Sequence, residues 1–235
     1  MNTIFVTATD TGVGKTLLCG LLLAFLRRAG INAAYQKWVA TGCPATGLPD
    51  DLRAVRQWAG LDDQTLFPAE LARQVPYRFR LPASPHLAAE QEKQRIEPEM
   101  LLSAWQQAAA EAELLLLEGV GGLLVPLTRE LLLADLVAQL HLPTLLVARS
   151  GLGAINHTLL SLEALRRRGI PLLGVICSDE APELPELIVA DNLRVISELG
   201  RTPVLGRLPW EGGHAAFTPI GEALLTAWRN RRQTP

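Results

Sequence analysis

Short apolar runs alternate along the chain with longer segments in which apolar residues recur at helical spacing. The apolar runs predict strands at residues 4–7, 33–36, 114–118, 144–148, 172–177 and 204–206. The helical spacing predicts helices at residues 15–29, 51–59, 97–112, 131–139, 154–168, 184–199 and 220–229. Several runs are apolar on both strand faces, as a parallel sheet covered by helices requires. We therefore predict an α/β fold with a doubly wound, mainly parallel sheet and helices on both faces.

The sequence shows no internal repeat or low-complexity linker, so we predict a single domain over residues 1–235. Residues 43–50 and 67–85 are irregular or rich in proline and glycine, and we predict loops over the sheet edge there. The polar tail at 229–235 is predicted to fray. Three glycines that end a helical pattern before a strand are predicted to cap helices: Gly30, Gly169 and Gly200.

Composition excludes several classes of protein. The net charge is −2 with no basic block, which argues against nucleic acid as the main partner. The longest apolar runs have strand length and are too short to cross a membrane, and no signal-like segment precedes the first strand. The cysteines and histidines are scattered without metal-ligand spacing, which indicates free thiols, a reducing cytoplasm and no histidine-bound metal.

The turn after the first strand carries the main chemical signal. Residues 8–16 read Ala-Thr-Asp-Thr-Gly-Val-Gly-Lys-Thr, between an apolar strand and an apolar helix. This context is typical of a phosphate-binding P-loop, although Ala8 stands where the motif has glycine. The alternative is an ordinary strand-to-helix turn in which Gly-Lys-Thr occurs by chance.

Each residue type that the P-loop motif requires has a physical role, and the residues of this turn can fill those roles. Gly12 and Gly14 have no Cβ, so the backbone can adopt positive φ and approach phosphate oxygens. The helix that begins here adds its positive dipole end. Lys15 is expected to bridge terminal phosphates, and the Thr16 hydroxyl to bind magnesium.

Ligands of such sheets bind at the carboxyl ends of the strands, which directs attention to polar residues there. Lys37 follows the second strand, with Thr41 close behind, and is either a fixed cation for an anion or a solvated surface lysine. Glu118 ends a buried strand and opens Gly-Val-Gly-Gly. It is either a magnesium-contacting acid or an exposed residue of a strand-terminating turn.

Three further features leave alternatives open. Asp50 and Asp51 precede a helical pattern, and they are equally consistent with a helix cap and with a magnesium ligand. Ser84-Pro85-His86 opens a short helical pattern at 86–93, where the histidine contacts substrate or only caps. Residues 151–156 lead into a helix whose N-terminus could hold a carboxylate.

Taken together, the motifs resemble the dethiobiotin synthetase family from end to end. The matching segments are Phe-Val-Thr-Ala-Thr-Asp-Thr-Gly-Val-Gly-Lys-Thr at 5–16, Tyr-Gln-Lys-Trp-Val-Ala-Thr-Gly at 35–42, Ser-Pro-His at 84–86, Glu-Gly-Val-Gly-Gly at 118–122, Leu-Gly-Ala-Ile-Asn-His at 152–157 and Gly-Arg-Leu-Pro-Trp at 206–210. The resemblance implies a cytoplasmic homodimer that uses ATP and Mg²⁺. Its reaction would close a ureido ring on 7,8-diaminopelargonate with carbon dioxide.

The resemblance also implies roles for individual residues. Magnesium would be bound by Thr16, Asp51 and Glu118. The carbamate and the transferred phosphoryl group would be surrounded by Thr11, Lys15, Lys37 and Thr41. The catalytic residues among these would be Lys37, Lys15 and Thr11. Gly153 and Asn156 of the neighbouring subunit would receive the substrate carboxylate. The residues implied to bind nucleotide and its metal are Gly12, Val13, Gly14, Lys15, Thr16, Leu17, Asp51, Glu118, Gly119, Val120, Gly121, Ser178, Asp179, Pro209 and Trp210.

Two other P-loop functions compete with this interpretation. A partition or placement ATPase of the related class has a second lysine early in the P-loop, where this chain has Thr9-Asp10-Thr11. An amidoligase acting on a corrinoid acid usually carries a glutaminase domain, for which 235 residues leave no room.

The chain departs from the family pattern at three positions: Gly12 replaces a frequent glutamate, Trp38 a usual proline, and Ser178 the asparagine of an adenine-reading Asn-Asp pair. A hydroxyl presents fewer donors and acceptors to a base than an amide does. We therefore expect looser selection among ATP, CTP and GTP than in relatives with asparagine. Comparing kcat/KM for the three nucleotides tests this, and an ATP preference of about a hundredfold or more would contradict it.

Overall fold

The computed structural model describes residues 2–61 and 68–233. Its strands are β1 (Thr3–Ala8), β2 (Ala33–Lys37), β3 (Val39–Ala40), β4 (Tyr77–Arg78), β5 (Leu114–Glu118), β6 (Thr144–Arg149), β7 (Leu172–Ser178) and β8 (Val204–Leu208). Its helices are α1 (Lys15–Arg28), α2 (Asp50–Trp58), α3 (Pro68–Gln74), α4 (Pro85–Gln91), α5 (Pro98–Glu111), α6 (Leu133–Gln139), α7 (Ala154–Arg167), α8 (Glu186–Gly200) and α9 (His214–Gln233).

Six strands form one sheet in the order β2-β5-β1-β6-β7-β8, and every neighbouring pair is parallel. Strand β1 therefore lies in the middle of the sheet, and its carboxyl end leads into the turn before α1. Strands β5 and β2 lie beside it in that order. In this register Glu118 pairs with both Val6 and Lys37, which brings the ends of three strands together.

The apolar pattern of the strands separates two helical layers. Ile4 and Val6 contribute to a core with α1, α2 and α9, whereas Phe5 faces a second core with α5, α6, α7 and α8. Both sheet faces are covered because the strands are apolar on both sides. The predicted α/β fold with a doubly wound parallel sheet is confirmed.

The prediction of a loop at 67–85 was wrong, since this segment contains α3 and β4; Phe67 lies outside the described residues. Strand β4 pairs in parallel with β3 as a separate two-stranded sheet. Each of these strands has only two residues, so no alternation could identify them. Their existence depends on a pairing between distant parts of the chain.

The last helix begins earlier and ends later than its pattern predicted. Helix α9 runs from His214 to Gln233 with Pro219 inside it, so the tail at 229–235 is helical up to Gln233, while residues 234–235 lie outside the described chain. Proline removes one N–H from the helix ladder, which is why the sequence suggested a start after it. Burial of Phe217 and Ile220 in the core favours the helix across that position.

One of the three predicted glycine caps was wrong. Gly30 and Gly169 follow α1 and α7 with positive φ, as expected for a helix C-cap. Gly200 is instead the last helical residue, and Arg201 adopts the left-handed conformation with φ +42°. A Cβ at Gly200 would lie 2.7 Å from a Leu162 methyl carbon, so this glycine allows α7 and α8 to pack closely.

Two expectations from composition can be compared with the structure. Cys19, Cys43 and Cys177 are free thiols, as predicted, and the first and last are buried. None of the helices within residues 2–61 and 68–233 combines the length and the apolar character needed to cross a membrane.

Candidate active site

The turn after β1 has the backbone that its glycines predicted. Gly12 has φ +71° and Gly14 has φ +100°, and Gly14 is the N-cap of α1. A Cβ at Gly12 would meet open space, so this position needs glycine for its φ alone. A Cβ at Gly14 would lie 2.8 Å from the Ser178 hydroxyl oxygen, so Gly14 is also required for a close approach between β7 and the turn.

Lys15 folds back over this turn, where its Nζ donates to the Asp10 carbonyl at 3.2 Å. The side chain is buried, and burial lowers the pKa of Lys15 although the negative charge of Glu118 partly opposes the shift. The ammonium is thus held on the rim of the turn without a carboxylate partner among the described hydrogen bonds and ion pairs.

Oxygen atoms from three elements converge beside the turn. The Thr16 hydroxyl lies 3.1 Å from Asp51 Oδ1 and 3.0 Å from Glu118 Oε1. Lys37 Nζ contacts the same two carboxylates, at 2.6 Å from Asp51 Oδ2 and 2.8 Å from Glu118 Oε1. Helices α1 and α2 and strands β2 and β5 therefore each place one polar group at this point.

The structure separates the two neighbouring aspartates. Helix α2 begins after Pro49, so Asp50 and Asp51 are both in its first turn, and neither is the N-cap. Asp50 turns outward to Arg53 at 2.8 Å, with three quarters of its side chain exposed. Asp51 turns toward Thr16 and Lys37, so the N-cap interpretation was wrong for both aspartates and the magnesium role of Asp51 stays a prediction.

The electrostatics of the cluster follow from burial. Glu118 is only 1% exposed and Lys37 is 5% exposed. Burial alone would lower the pKa of Lys37, but the charges of Glu118 and Asp51 raise it above its ordinary value, so the lysine stays protonated. Burial would likewise raise the pKa of Asp51, but Lys37 more than offsets this and keeps the carboxyl ionised at neutral pH. A buried charge that loses its partner typically costs about 3–5 kcal/mol.

A cleft of about 790 Å³ opens over this cluster. The predicted site residues that line it are Thr11, Gly12, Gly14, Lys15, Thr16, Lys37, Thr41, Asp51, Glu118, Val120 and Gly121. The metal and catalytic residues implied by the resemblance thus share one cavity with Gly12 and Gly14 of the turn.

Part of the cleft wall was not predicted from the sequence; it is formed by Pro82, Ala83 and Val125. The first two lie in the segment predicted to be an edge loop, where no periodicity marks them. Ser84 and Pro85 complete that wall, and the Ser84 hydroxyl lies 3.0 Å from His86 Nδ1. His86 itself lines a separate recess behind α4.

Three predicted nucleotide-binding residues pack inside the fold instead of lining the cleft. Val13 is buried in the core on the α1 side, and Leu17 is partly buried against it. A Cβ at Gly119 would lie 2.9 Å from the Phe5 ring and 3.1 Å from a Leu133 methyl carbon, so this glycine allows β5 to pass close to both.

The residues implied to read the base lie around the end of β7. Ser178 is buried beside Gly14, as its contact distance shows. The Asp179 side chain is only 6% exposed and accepts hydrogen bonds from Arg207 at 2.9 Å and from the Ser150 hydroxyl. The Asp179 carboxylate therefore already accepts hydrogen bonds from side chains of the same chain. Trp210 is nearly half exposed.

Gly153 and Asn156 lie at the start of α7, outside the cleft. Gly153 is the N-cap with φ +87°, and Asn156 is exposed. The buried amide of Asn192 donates to the carbonyls of Ser150 and Gly151 at 2.9 and 2.7 Å and holds the preceding turn. Gly153 and Asn156 are not among the described residues that line the cleft around Lys37.

Comparison with known proteins assigns the chain to a family. A family model described as an AAA domain matches residues 2–216. Proteins named ATP-dependent dethiobiotin synthetase BioD include one from Anaeromyxobacter dehalogenans, 40% identical over 90% of this chain and 91% of the relative. Others are from Rhodopseudomonas palustris, 45% identical over 88% and 84%, and Methanococcus vannielii, 35% identical over 86% and 91%.

Solved structures with the same fold are more distant in sequence. A chain of the MinC:MinD cell division protein complex from Aquifex aeolicus has a TM-score of 0.58 at 15% identity, covering 100% of this chain and 98% of its own. A ParA family ATPase from Chlorobium tepidum has a TM-score of 0.53 at 15% identity, with coverage of 100% and 95%. These likenesses concern the fold alone, whereas the sequence relatives show that this chain belongs to the ATP-dependent dethiobiotin synthetase family.

Proposed function

We propose that the protein is an ATP- and magnesium-dependent dethiobiotin synthetase. It would convert 7,8-diaminopelargonate and carbon dioxide into dethiobiotin, with ATP cleaved to ADP and phosphate. The observation that carries the proposal is the meeting of Lys15, Lys37 and the oxygen cluster in one cleft above the P-loop. The sequence relatives support the same activity through their names.

The donor set around Thr16 fits a magnesium ion. Mg²⁺ prefers hard oxygen ligands and is usually held in proteins by one or two carboxylates together with substrate phosphates. The site supplies one hydroxyl and two carboxylates, from Thr16, Asp51 and Glu118. The hydroxyl oxygen lies 3.1 Å from an Asp51 carboxylate oxygen and 3.0 Å from a Glu118 carboxylate oxygen. These three residues would hold the ion, which when bound would offset the charge of the nucleotide phosphates.

The residues of the cleft suit a sequence of anionic intermediates. One substrate amine adds to carbon dioxide to give a carbamate, and a carbamate oxygen then takes the terminal phosphoryl group of ATP. The second amine attacks the resulting mixed anhydride and expels phosphate, which closes the ring. Lys15 and Lys37 provide fixed positive charge for these anions, and Thr11 and Thr41 provide hydroxyl groups at the same wall.

Lys37 has a second task that follows from its contacts. Its single positive charge is shared between two carboxylates, the buried Glu118 and the partly exposed Asp51, and offsets one of their two negative charges. A divalent ion on the same carboxylates would compete for them, which would leave Lys37 available to the carbamate.

We also propose a homodimer in which the partner subunit completes each site. Gly153 and Asn156 lie outside the cleft of their own chain, on an exposed helix start beside Leu152, which is 90% exposed. A helix N-terminus favours a carboxylate, such as the one at the end of the substrate. A second copy of the chain would bring this helix start to the open side of the cleft.

Incubation with diaminopelargonate, labelled bicarbonate, ATP and Mg²⁺ tests the activity. We expect acid-stable label in dethiobiotin, and its absence would reject the proposed function.

Lys37→Ala should reduce kcat by about 10²- to 10³-fold, the loss typical of one electrostatic contact to a transition state. The matched control is Lys93→Ala, an exposed lysine at the end of α4, which should retain normal turnover.

The same Lys37 variant should also lose stability, because Glu118 would stay buried without a cation. We expect the free energy of unfolding without ligands to fall by about 3 kcal/mol. Circular dichroism must therefore show that the variant is folded at the assay temperature. A folded Lys37→Ala enzyme with wild-type turnover would show that the catalytic role is wrong.

Subunit complementation tests the shared site. Lys37→Ala and Asn156→Ala are each expected to be weakly active alone, the second through a raised KM for diaminopelargonate. An equal mixture after subunit exchange should recover about a quarter of wild-type activity, because half the dimers would carry one intact site of two. No recovery despite demonstrated exchange would mean that each site lies within one chain.

A further inference from the structure

The two oxygens of the Glu118 carboxylate have different partners. Oε1 faces the cleft, where it contacts the Thr16 hydroxyl at 3.0 Å and Lys37 Nζ at 2.8 Å. Oε2 points away from this cluster and accepts a hydrogen bond from the Tyr35 hydroxyl at 2.9 Å. The Tyr35 hydroxyl thus holds Oε2, the carboxylate oxygen that does not contact Thr16 or Lys37.

Strand geometry explains why Tyr35 reaches this oxygen. Tyr35 precedes Lys37 by two positions on β2, so both side chains lie on the same face of the sheet. Across the pair, Lys37 is in register with Glu118, and Tyr35 is in register with Leu116. Tyr35 is only 6% exposed and belongs to the core under α1, so its ring has little freedom to move.

We propose that Tyr35 is a positioning residue that orients the Glu118 carboxylate and thereby sets the affinity of the site for a divalent cation. This inference rests on the proposed function only in placing the ion at Thr16, Asp51 and Glu118. A carboxylate can rotate about its terminal bond, and the rotation decides which lone pairs face a metal. The Tyr35 hydrogen bond selects the orientation in which Oε1 meets the Thr16 hydroxyl.

Loss of the phenol hydroxyl would affect the carboxylate in a defined way. Oε2 would be left buried without its donor, and such an atom carries its full desolvation cost. Cys19 also contacts Glu118 from α1, but a thiol is a weak donor and cannot replace the phenol. The carboxylate would then turn toward other donors, and Oε1 would lose its fixed direction. Hydrogen-bond partners of metal ligands typically contribute about 10- to 100-fold to metal affinity.

The chain offers a matched control because it contains only two tyrosines. The Tyr77 hydroxyl accepts a hydrogen bond from the Glu97 backbone N–H at 2.9 Å and contacts the Met100 sulfur, with no contact to the cluster. Tyr35→Phe and Tyr77→Phe therefore remove the same hydroxyl from two buried settings. Only the first removes a partner of Glu118.

The experiment measures Mn²⁺ binding to the 235-residue chain in the presence of ADP by electron paramagnetic resonance, together with ADP affinity in EDTA. We expect Tyr35→Phe to raise the Mn²⁺ dissociation constant about tenfold or more. Tyr77→Phe should change it by less than about twofold, and ADP affinity in EDTA should stay at the wild-type value in both variants. Thermal melts establish that the variants are folded.

Each contrary result has a distinct meaning. An unchanged Mn²⁺ dissociation constant in folded Tyr35→Phe would overturn the positioning role while leaving the proposed function intact. If Tyr35→Phe lost ADP affinity in EDTA by the same factor as it lost Mn²⁺ affinity, the positioning role would also be overturned. The substitution would then have damaged the whole cleft and not the metal site alone. Failure of the wild-type protein to bind Mn²⁺ with ADP would instead reject the metal ligands of the proposed function, and this inference with them.

Discussion

The site depends on one buried ion pair, between the Glu118 carboxylate at the end of β5 and the Lys37 ammonium at the end of β2. Neither charge could remain in this environment alone, because an unpaired buried charge costs several kcal/mol. Asp51 adds a second carboxylate at the cleft side, and the Thr16 hydroxyl bridges the two acids. The raised pKa of Lys37 and the lowered pKa of Asp51 keep these two groups charged, which suits chemistry that proceeds through anions.

Parallel pairing is what delivers these groups to one place. Because β2, β5 and β1 lie side by side and run the same way, their carboxyl ends share one edge of the sheet. The register sets Lys37 directly beside Glu118, and the turn after β1 adds Lys15 and Thr16. The same fold occurs in MinD- and ParA-type structures, so the fold alone does not define the chemistry.

Much of this arrangement could be predicted from local sequence. The main strands, the P-loop turn and the acid after Leu-Leu-Leu-Leu all have periodicity or spacing that marks them. Three features could not be predicted, because each depends on contacts between distant segments. The first is the pairing of β3 with β4, which are strands of only two residues each. The second is that Asp51 turns inward while Asp50 turns outward. The third is the contact of Tyr35 with Glu118, which lie 83 positions apart in the sequence. The resemblance predicted a metal-binding role for Asp51, whereas the contact between Tyr35 and Glu118 is seen only in the structure.

We propose that Thr16, Asp51 and Glu118 hold a divalent ion beside nucleotide phosphates, with both lysines at the same cleft. The most direct test is a crystal structure with ADP and Mn²⁺, in which anomalous scattering locates the metal. We expect an anomalous peak bound to oxygens of these three residues, with the phosphates held by the turn that carries Lys15. A metal bound elsewhere, or phosphates remote from Lys15, would contradict it.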